Sequence, residues 1–185
     1  FPFQEMIARD AADVHPPLYY IVLQAWSWIF GTSLLSLRSM SVVFAGATIG
    51  LAYGFTTSIT RSRLTGLVAA ALIAVSGWQI AFAWEARMYT LGTALAIGSA
   101  WALLHAFRYP SVKNWTVYAV VTAAFAYIHY YAFFTIAAEI VFIAGHIIFK
   151  ARFRIGEIVQ SKSLWLSALA GGLMALLYSP WIPTF

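Results

Sequence analysis

Apolar residues in this chain come in long blocks, separated by short stretches where charge collects. The first full block runs from about Leu34 to Ile59, with Arg38 in its opening turns. After Thr60-Arg61-Ser62-Arg63 a second run, roughly Arg63 to Phe82, leads into Trp84-Glu85-Ala86-Arg87-Met88-Tyr89. A third, roughly Met88 to Phe107, ends at Arg108, with Pro110 and Lys113 beyond it. A membrane-spanning helix needs about 20 apolar residues, and each run comes close to that length. Asn114 to Phe149 is about 54 Å of helix, too long for one span and short for two. It divides at His129-Tyr130-Tyr131 into two compact spans. A basic stretch from Lys150 to Lys162 then leads to a last span, about Leu164 to Tyr178, which Pro180 and Pro183 end. The pattern predicts about six transmembrane helices over 34–182.

The chain before Leu34 has a different texture. Phe1 to Val14 is polar and carries Glu5, Arg9, Asp10 and Asp13. His15-Pro16-Pro17-Leu18-Tyr19-Tyr20 follows, and proline at the first helical positions gives up no useful N–H. An aromatic-rich helix is expected as far as Phe30, with Gly31 as its stop. It is short for a span, and Trp and Tyr favour the headgroup region. It reads as an interfacial amphipathic helix, the alternative being a short tilted span. The expected fold class is therefore all-α. One polytopic membrane domain covers 1–185, with an outer loop and interfacial helix at 1–33.

Composition agrees with this reading. Apolar residues are 62% of the 185, charged residues only 9%, and mean hydropathy is +0.80. An ordinary soluble domain has about 25% charged residues. The net charge of +5 does not point to nucleic acid, because the basic residues sit in short inter-span loops, as cytoplasmic anchors do. With no Cys, disulfides, zinc thiolates and thiol catalysis are excluded. No signal peptide opens the chain, which reads as cut at both ends.

Strict alternation then sorts the loops. If Arg61 and Arg63 are cytoplasmic, so are Arg108, Lys113 and the Lys150–Lys162 stretch. Nine of the eleven Lys and Arg fall inside or at membrane ends, Arg9 and Arg87 being the outer exceptions. Asp10, Asp13, His15, Glu85, Arg87, His129, Tyr130 and Tyr131 fall outside. The expected location is a cell (inner or plasma) membrane, with the active face extracytoplasmic.

Three stretches carry a resemblance: Asp13-Val-His-Pro-Pro-Leu-Tyr-Tyr; Phe30-Gly-Thr-Ser with Leu37-Arg38; and Glu85-Ala-Arg-Met-Tyr89. Together with the His-Tyr-Tyr turn and a span ending in Tyr-Ser-Pro, they resemble the GT-C superfamily of membrane glycosyltransferases. Within it, the nearest likeness is to the protein mannosyltransferase, ArnT and RgtA/B/C/D-like branch. The resemblance covers nearly the whole chain in order. It implies transfer of a sugar, hexose or pentose, from a polyprenyl-phosphate carrier to a lipid, glycan or protein acceptor at the outer face. It also implies that a first span and an acidic outer loop precede residue 1, so that the family's usual base lies upstream.

The residues suit that chemistry. A general base must take the acceptor's proton, and a cation must meet the charge developing on the departing phosphate. Asp13 and Glu85 are the candidate catalytic carboxylates. Asp13 is alternatively a helix cap, and Glu85 an ion-pair partner of Arg87. Arg87 is the candidate phosphate ligand, since guanidinium suits bidentate phosphate contacts. His15, Tyr89, His129, Tyr130 and Arg38 complete the candidate substrate-binding set. Structural histidines, belt tyrosines and snorkelling arginines are the competing readings. Asp13, His15, Glu85, Arg87, Tyr89 and His129 are expected to converge on one outer cavity. Glu139 is the one acid inside a span, read as protonated or paired with Arg38. His105 and His146 receive no role. No metal-ligand spacing of useful specificity appears, and a need for a divalent metal is undetermined. A transporter or flippase of polyprenyl-linked sugars, or a non-catalytic membrane scaffold, are the alternative functions. The first should show inverted repeats and polar groups at mid-membrane.

Overall fold

The computed structural model describes residues 16–184, which form helices joined by short turns, with no strand among them. Helix α1, Leu18–Phe30, follows the two prolines and stops at Gly31. Gly31 adopts φ 83°, a left-handed value that costs glycine little, and its N–H closes on the Ser27 carbonyl at 2.9 Å. Helix α2, Leu34–Thr60, starts at Ser33, whose hydroxyl accepts from the Ser36 N–H at 3.2 Å. Ser62 caps α3, Arg63–Ala74, in the same way, and Ser111 caps α6, Val112–Ala126. Between them lie α4, Gly77–Ala83, and α5, Tyr89–Arg108. Helix α7 is Ala132–Lys150, α8 the short Ile155–Val159, and α9 Lys162–Tyr178, with a 3-10 turn over Ser179–Thr184.

Among the described residues four helical stretches are long and apolar enough to cross a membrane: Leu34–Thr60, Tyr89–Arg108, Ala132–Lys150 and Lys162–Ile182. A fifth is present if α3 and α4, bent by 58° at their junction, form one span. The expected second span is thus broken. Ser76 and Gly77 sit at the break; Ser and Gly are poor residues for a helix interior. The fourth expected span, α6, is 15 residues long, about 22 Å, against a hydrocarbon core of about 30 Å. It is also the helix most enclosed by protein: Trp115, Tyr118 and Ala119 are fully buried against α5 and α9, and Thr122 is buried too. The division expected at His129–Tyr131 falls between α6 and α7. Helix α1 is distinct from α2, separated by Gly31–Ser33, and the Trp26 indole N–H donates back to the Ser36 carbonyl at 3.0 Å.

Large apolar side chains such as Leu35, Leu72, Phe134, Val141 and Leu176 face outward, as they do where lipid is the solvent. The interior holds the one acid within a span. Glu139 is 6% exposed and accepts from the Ser99 hydroxyl at 2.8 Å and the Tyr118 hydroxyl at 3.0 Å, joining α5, α6 and α7. This corrects the expected pairing with Arg38. Arg38 is exposed near the start of α2, whereas Glu139 lies among the three helices that supply its hydroxyl partners.

Contacts sort the loops to two ends, as alternation requires. At one end the Leu18 N–H donates to the Tyr127 carbonyl at 3.1 Å, and the Tyr127 hydroxyl to the Leu177 carbonyl at 2.9 Å. At the other, Arg108 approaches the Ser58 carbonyl at 3.5 Å, and Pro110, Lys150 and Lys162 line one cleft. That second end carries Arg61, Arg63, Arg108, Lys113, Lys150, Arg152, Arg154 and Lys162.

Candidate functional site

The end opposite the basic loops is organised by three sequence stretches that meet. Tyr19, from the Pro-Pro-Leu-Tyr-Tyr segment, is 1% exposed and packs with Met40, Met88, Leu91 and Ile128. Met88 belongs to the Trp84–Tyr89 turn and Ile128 to the turn before α7. Residues scattered over more than a hundred positions are thus pinned by one apolar contact, and polar neighbours are carried into place around it.

The Trp84–Met88 turn is tight. Glu85 N–H donates to the Phe82 carbonyl at 3.3 Å and Arg87 N–H to the Glu85 carbonyl at 2.9 Å. Burying Met88 at 2% exposure turns Glu85 and Arg87 outward, and both are exposed. They do not pair with each other; among the described residues the ion pair present is Arg154–Glu157, at the other end. The Arg87 guanidinium lies 5.7 Å from the centre of the Tyr89 ring, a cation–π distance. Its charge also reaches Tyr19. Burial pushes the Tyr19 hydroxyl up to about 12, the nearby Tyr20 adding to the shift, while the polar Ser41 side chain and the Arg87 charge oppose it.

Tyr89 divides two cavities. One, of about 260 Å³, is lined by Tyr89, Thr93, His129, Tyr131 and Thr135. The other, of about 320 Å³, lies against the α3–α4 break and is lined by Ser76, Gln79, Phe82, Tyr89 and Thr93. The His129 ring stacks on Tyr131 at 4.5 Å, and its Nδ1 accepts from the Tyr131 N–H at 3.1 Å. With Nδ1 an acceptor, the neutral imidazole carries its proton on Nε2. Tyr130 points elsewhere: its hydroxyl accepts from the Trp181 indole at 3.4 Å, within an aromatic cluster that includes Tyr127 and Tyr178. Burial raises the Tyr127 hydroxyl above its ordinary value.

Of the sequence candidates, Tyr89 and His129 share a cavity, and Arg87 lies against the Tyr89 ring. Glu85 is in the same turn as Arg87 but lines neither cavity, and Arg38 lines neither. Asp13 and His15 lie outside the described residues. Sequence reasoning missed Tyr19 as the pin, Thr93 and Gln79 as hydroxyl and amide groups in the cavity walls, and the Tyr127–Tyr178 contact. Thr93 carried a usable signal, being one helical turn after Tyr89 and so on its face. Among the described residues no group of three His, Asp or Glu side chains comes together that could hold a metal ion.

The arrangement offers a guanidinium without a carboxylate partner among the described residues, and mostly apolar cavities that carry a few hydroxyl, amide and imidazole groups. That is suited to holding an anion beside a hydroxylated ligand. No family model, curated protein or solved structure matches the chain.

Proposed function

We propose that this chain is part of a membrane glycosyltransferase, moving a sugar from a polyprenyl-phosphate carrier to a lipid, glycan or protein acceptor at the extracytoplasmic face. The observation that supports this reading is the meeting of Tyr19, Met88 and Ile128, which sets Arg87, with no carboxylate partner among the described residues, against the Tyr89 ring beside the cavity that Tyr89 and His129 share. In the reaction an acceptor oxygen attacks the anomeric carbon and the carbon–oxygen bond to the carrier phosphate breaks. The acceptor's proton passes to a carboxylate, Glu85 or Asp13. Arg87 meets the charge on the departing lipid phosphate, and its two-pronged geometry fits a phosphate better than an ammonium does. Tyr89, Thr93, Gln79 and His129 offer hydroxyl, amide and imidazole groups to the sugar.

The alternative of a carrier for polyprenyl-linked sugars draws on Glu139, the acid inside a span. Its carboxylate is occupied by two neutral hydroxyls and lines neither of the two cavities, which favours the enzyme.

The test uses the full-length protein in membranes, with a panel of radiolabelled polyprenyl-phosphate hexoses and pentoses. Arg87→Ala should lower transfer by about 10²–10³-fold, the loss seen when one charge-stabilising donor is removed from an active site. Arg87→Lys should recover part of it. Unchanged transfer in Arg87→Ala would sink the assignment of Arg87 and with it the reading of this end as the active face.

A further inference from the structure

At the basic end, remote from the proposed site, a cavity of about 340 Å³ opens between α2, α5 and α7. Its lining changes character along two helices in register. On α5, Leu104 lies toward the middle of the bundle and Arg108 one turn further out. On α7, Phe142 lies inward and His146 one turn further out. Residues four apart share a helix face, so both helices present an apolar floor below and a polar rim of nitrogen donors above, with Arg108 its fixed charge. His105 adds a second imidazole to the rim, and Lys150 lies one more turn out on α7. Arg108 is exposed, and its side chain makes a long hydrogen bond of 3.5 Å to the Ser58 carbonyl. The acid at this end, Glu157, is held by Arg154 at 3.0 Å, and Glu139 is turned to Ser99 and Tyr118.

We propose that this cavity binds an anionic phospholipid of the surrounding bilayer, its phosphate at Arg108 and His146 and its first methylenes over Leu104 and Phe142. Charge complementarity selects the occupant: this end carries eight Lys and Arg, and basic pockets between transmembrane helices are where anionic headgroups settle. Arg108 supplies the bidentate donor for phosphate, while the graded walls fit an amphiphile and not a free anion. The site needs only that the chain lie in a bilayer and does not depend on the glycosyl-transfer reading.

The purified, delipidated chain in detergent is titrated with phosphatidylglycerol, phosphatidylcholine or undecaprenyl phosphate, and bound lipid is counted by native mass spectrometry. Phosphatidylglycerol should bind in preference to phosphatidylcholine. Arg108→Gln should weaken it by about tenfold, the worth of one charge-assisted hydrogen bond. Lys113→Gln removes the same charge from the same end without touching the cavity, and should leave binding within about twofold. Leu104→Trp, which fills the floor and keeps every charge, should also weaken binding, and it serves if Arg108→Gln fails to give a monodisperse protein. Equal losses in Arg108→Gln and Lys113→Gln would mean diffuse attraction and overturn the site. So would equal binding of phosphatidylcholine, or full binding by Leu104→Trp. Tighter, Arg108-dependent binding of undecaprenyl phosphate would overturn the assignment to a bilayer phospholipid.

Discussion

Replacing Glu139 separates a structural acid from a working one. In the folded chain its two carboxylate oxygens accept from Ser99 and Tyr118, so one side chain ties α5 to α6 and α7. Glu139→Ala removes two interhelical hydrogen bonds, each worth about 0.6–1.7 kcal/mol between membrane helices. It also opens a void where the carboxyl was, adding about 1–2 kcal/mol. The expected loss is about 2–5 kcal/mol, read as a fall in the midpoint of unfolding in a mild detergent. Glu139→Gln should behave differently. Its carbonyl keeps the Ser99 bond, its amide N–H can donate to the Tyr118 oxygen, and the Tyr118 proton can turn to Thr122. That hydroxyl is buried one turn on with no partner of its own. The glutamine variant should therefore lie within about 1 kcal/mol of the parent and retain transfer activity. If it is as unstable as alanine, the hydrogen-bond account of Glu139 is wrong. If it is stable but transports or transfers nothing, the acid has a proton to move and the carrier reading returns.

Other outcomes follow from single features. A Cβ on Gly66 would lie 2.9 Å from the Tyr53 carbonyl, and one on Gly46 would meet nothing. Gly66→Ala should thus destabilise the α2–α3 hairpin by about 1–3 kcal/mol, and Gly46→Ala should be neutral or stabilising by up to about 1 kcal/mol, both by thermal unfolding. Tyr19 is neutral in both states below pH about 10, but unfolding frees it to ionise near 10 while folding holds it to about 12. Its contribution should be intact below pH 10 and lost as pH climbs toward 12, by about 2–3 kcal/mol. A base titration of stability should show Tyr19→Phe falling less steeply than the parent across that window, and an identical fall would refute the burial argument. Reporter fusions after Arg63, Phe107 and Arg154 should give a cytoplasmic signal, and fusions after Trp84 and Tyr131 an external one; a cytoplasmic signal at Trp84 would invert the topology.

Helix ends were readable from single residues: Gly31 as a stop, the proline pair as a start, His129-Tyr130-Tyr131 as a division. Each acts through local backbone chemistry, which neighbours in sequence decide. The 58° break at Ser76–Gly77 was hidden because the run on either side is uniformly apolar, and a hydropathy pattern does not register a change of direction. Glu139 shows the other limit. That an acid inside a span needs partners follows from solvation, but which ones it finds depends on helix rotation, and Ser99 and Tyr118 are 40 and 21 positions away. At the end opposite the basic loops, Arg87 and Tyr89 were legible as a pair in one turn. Their meeting with His129 was an expectation from chemistry, and Tyr19, a residue with no evident chemistry, supplies the contact that brings the stretches together.

The pin at Tyr19 also sets a schedule for biosynthesis. Its pocket is completed by Ile128, 109 residues later (128 − 19), and α1 is tied at its start to the Tyr127 carbonyl. At about 5–20 residues per second, α1 waits roughly 5–20 s after its own synthesis before its partner exists. During that interval Tyr19 and its apolar neighbours need another host, which the bilayer surface provides. An aromatic helix that can rest among headgroups is then useful to the nascent chain before it is useful to the finished one. Tyrosine and tryptophan are suited to both settings.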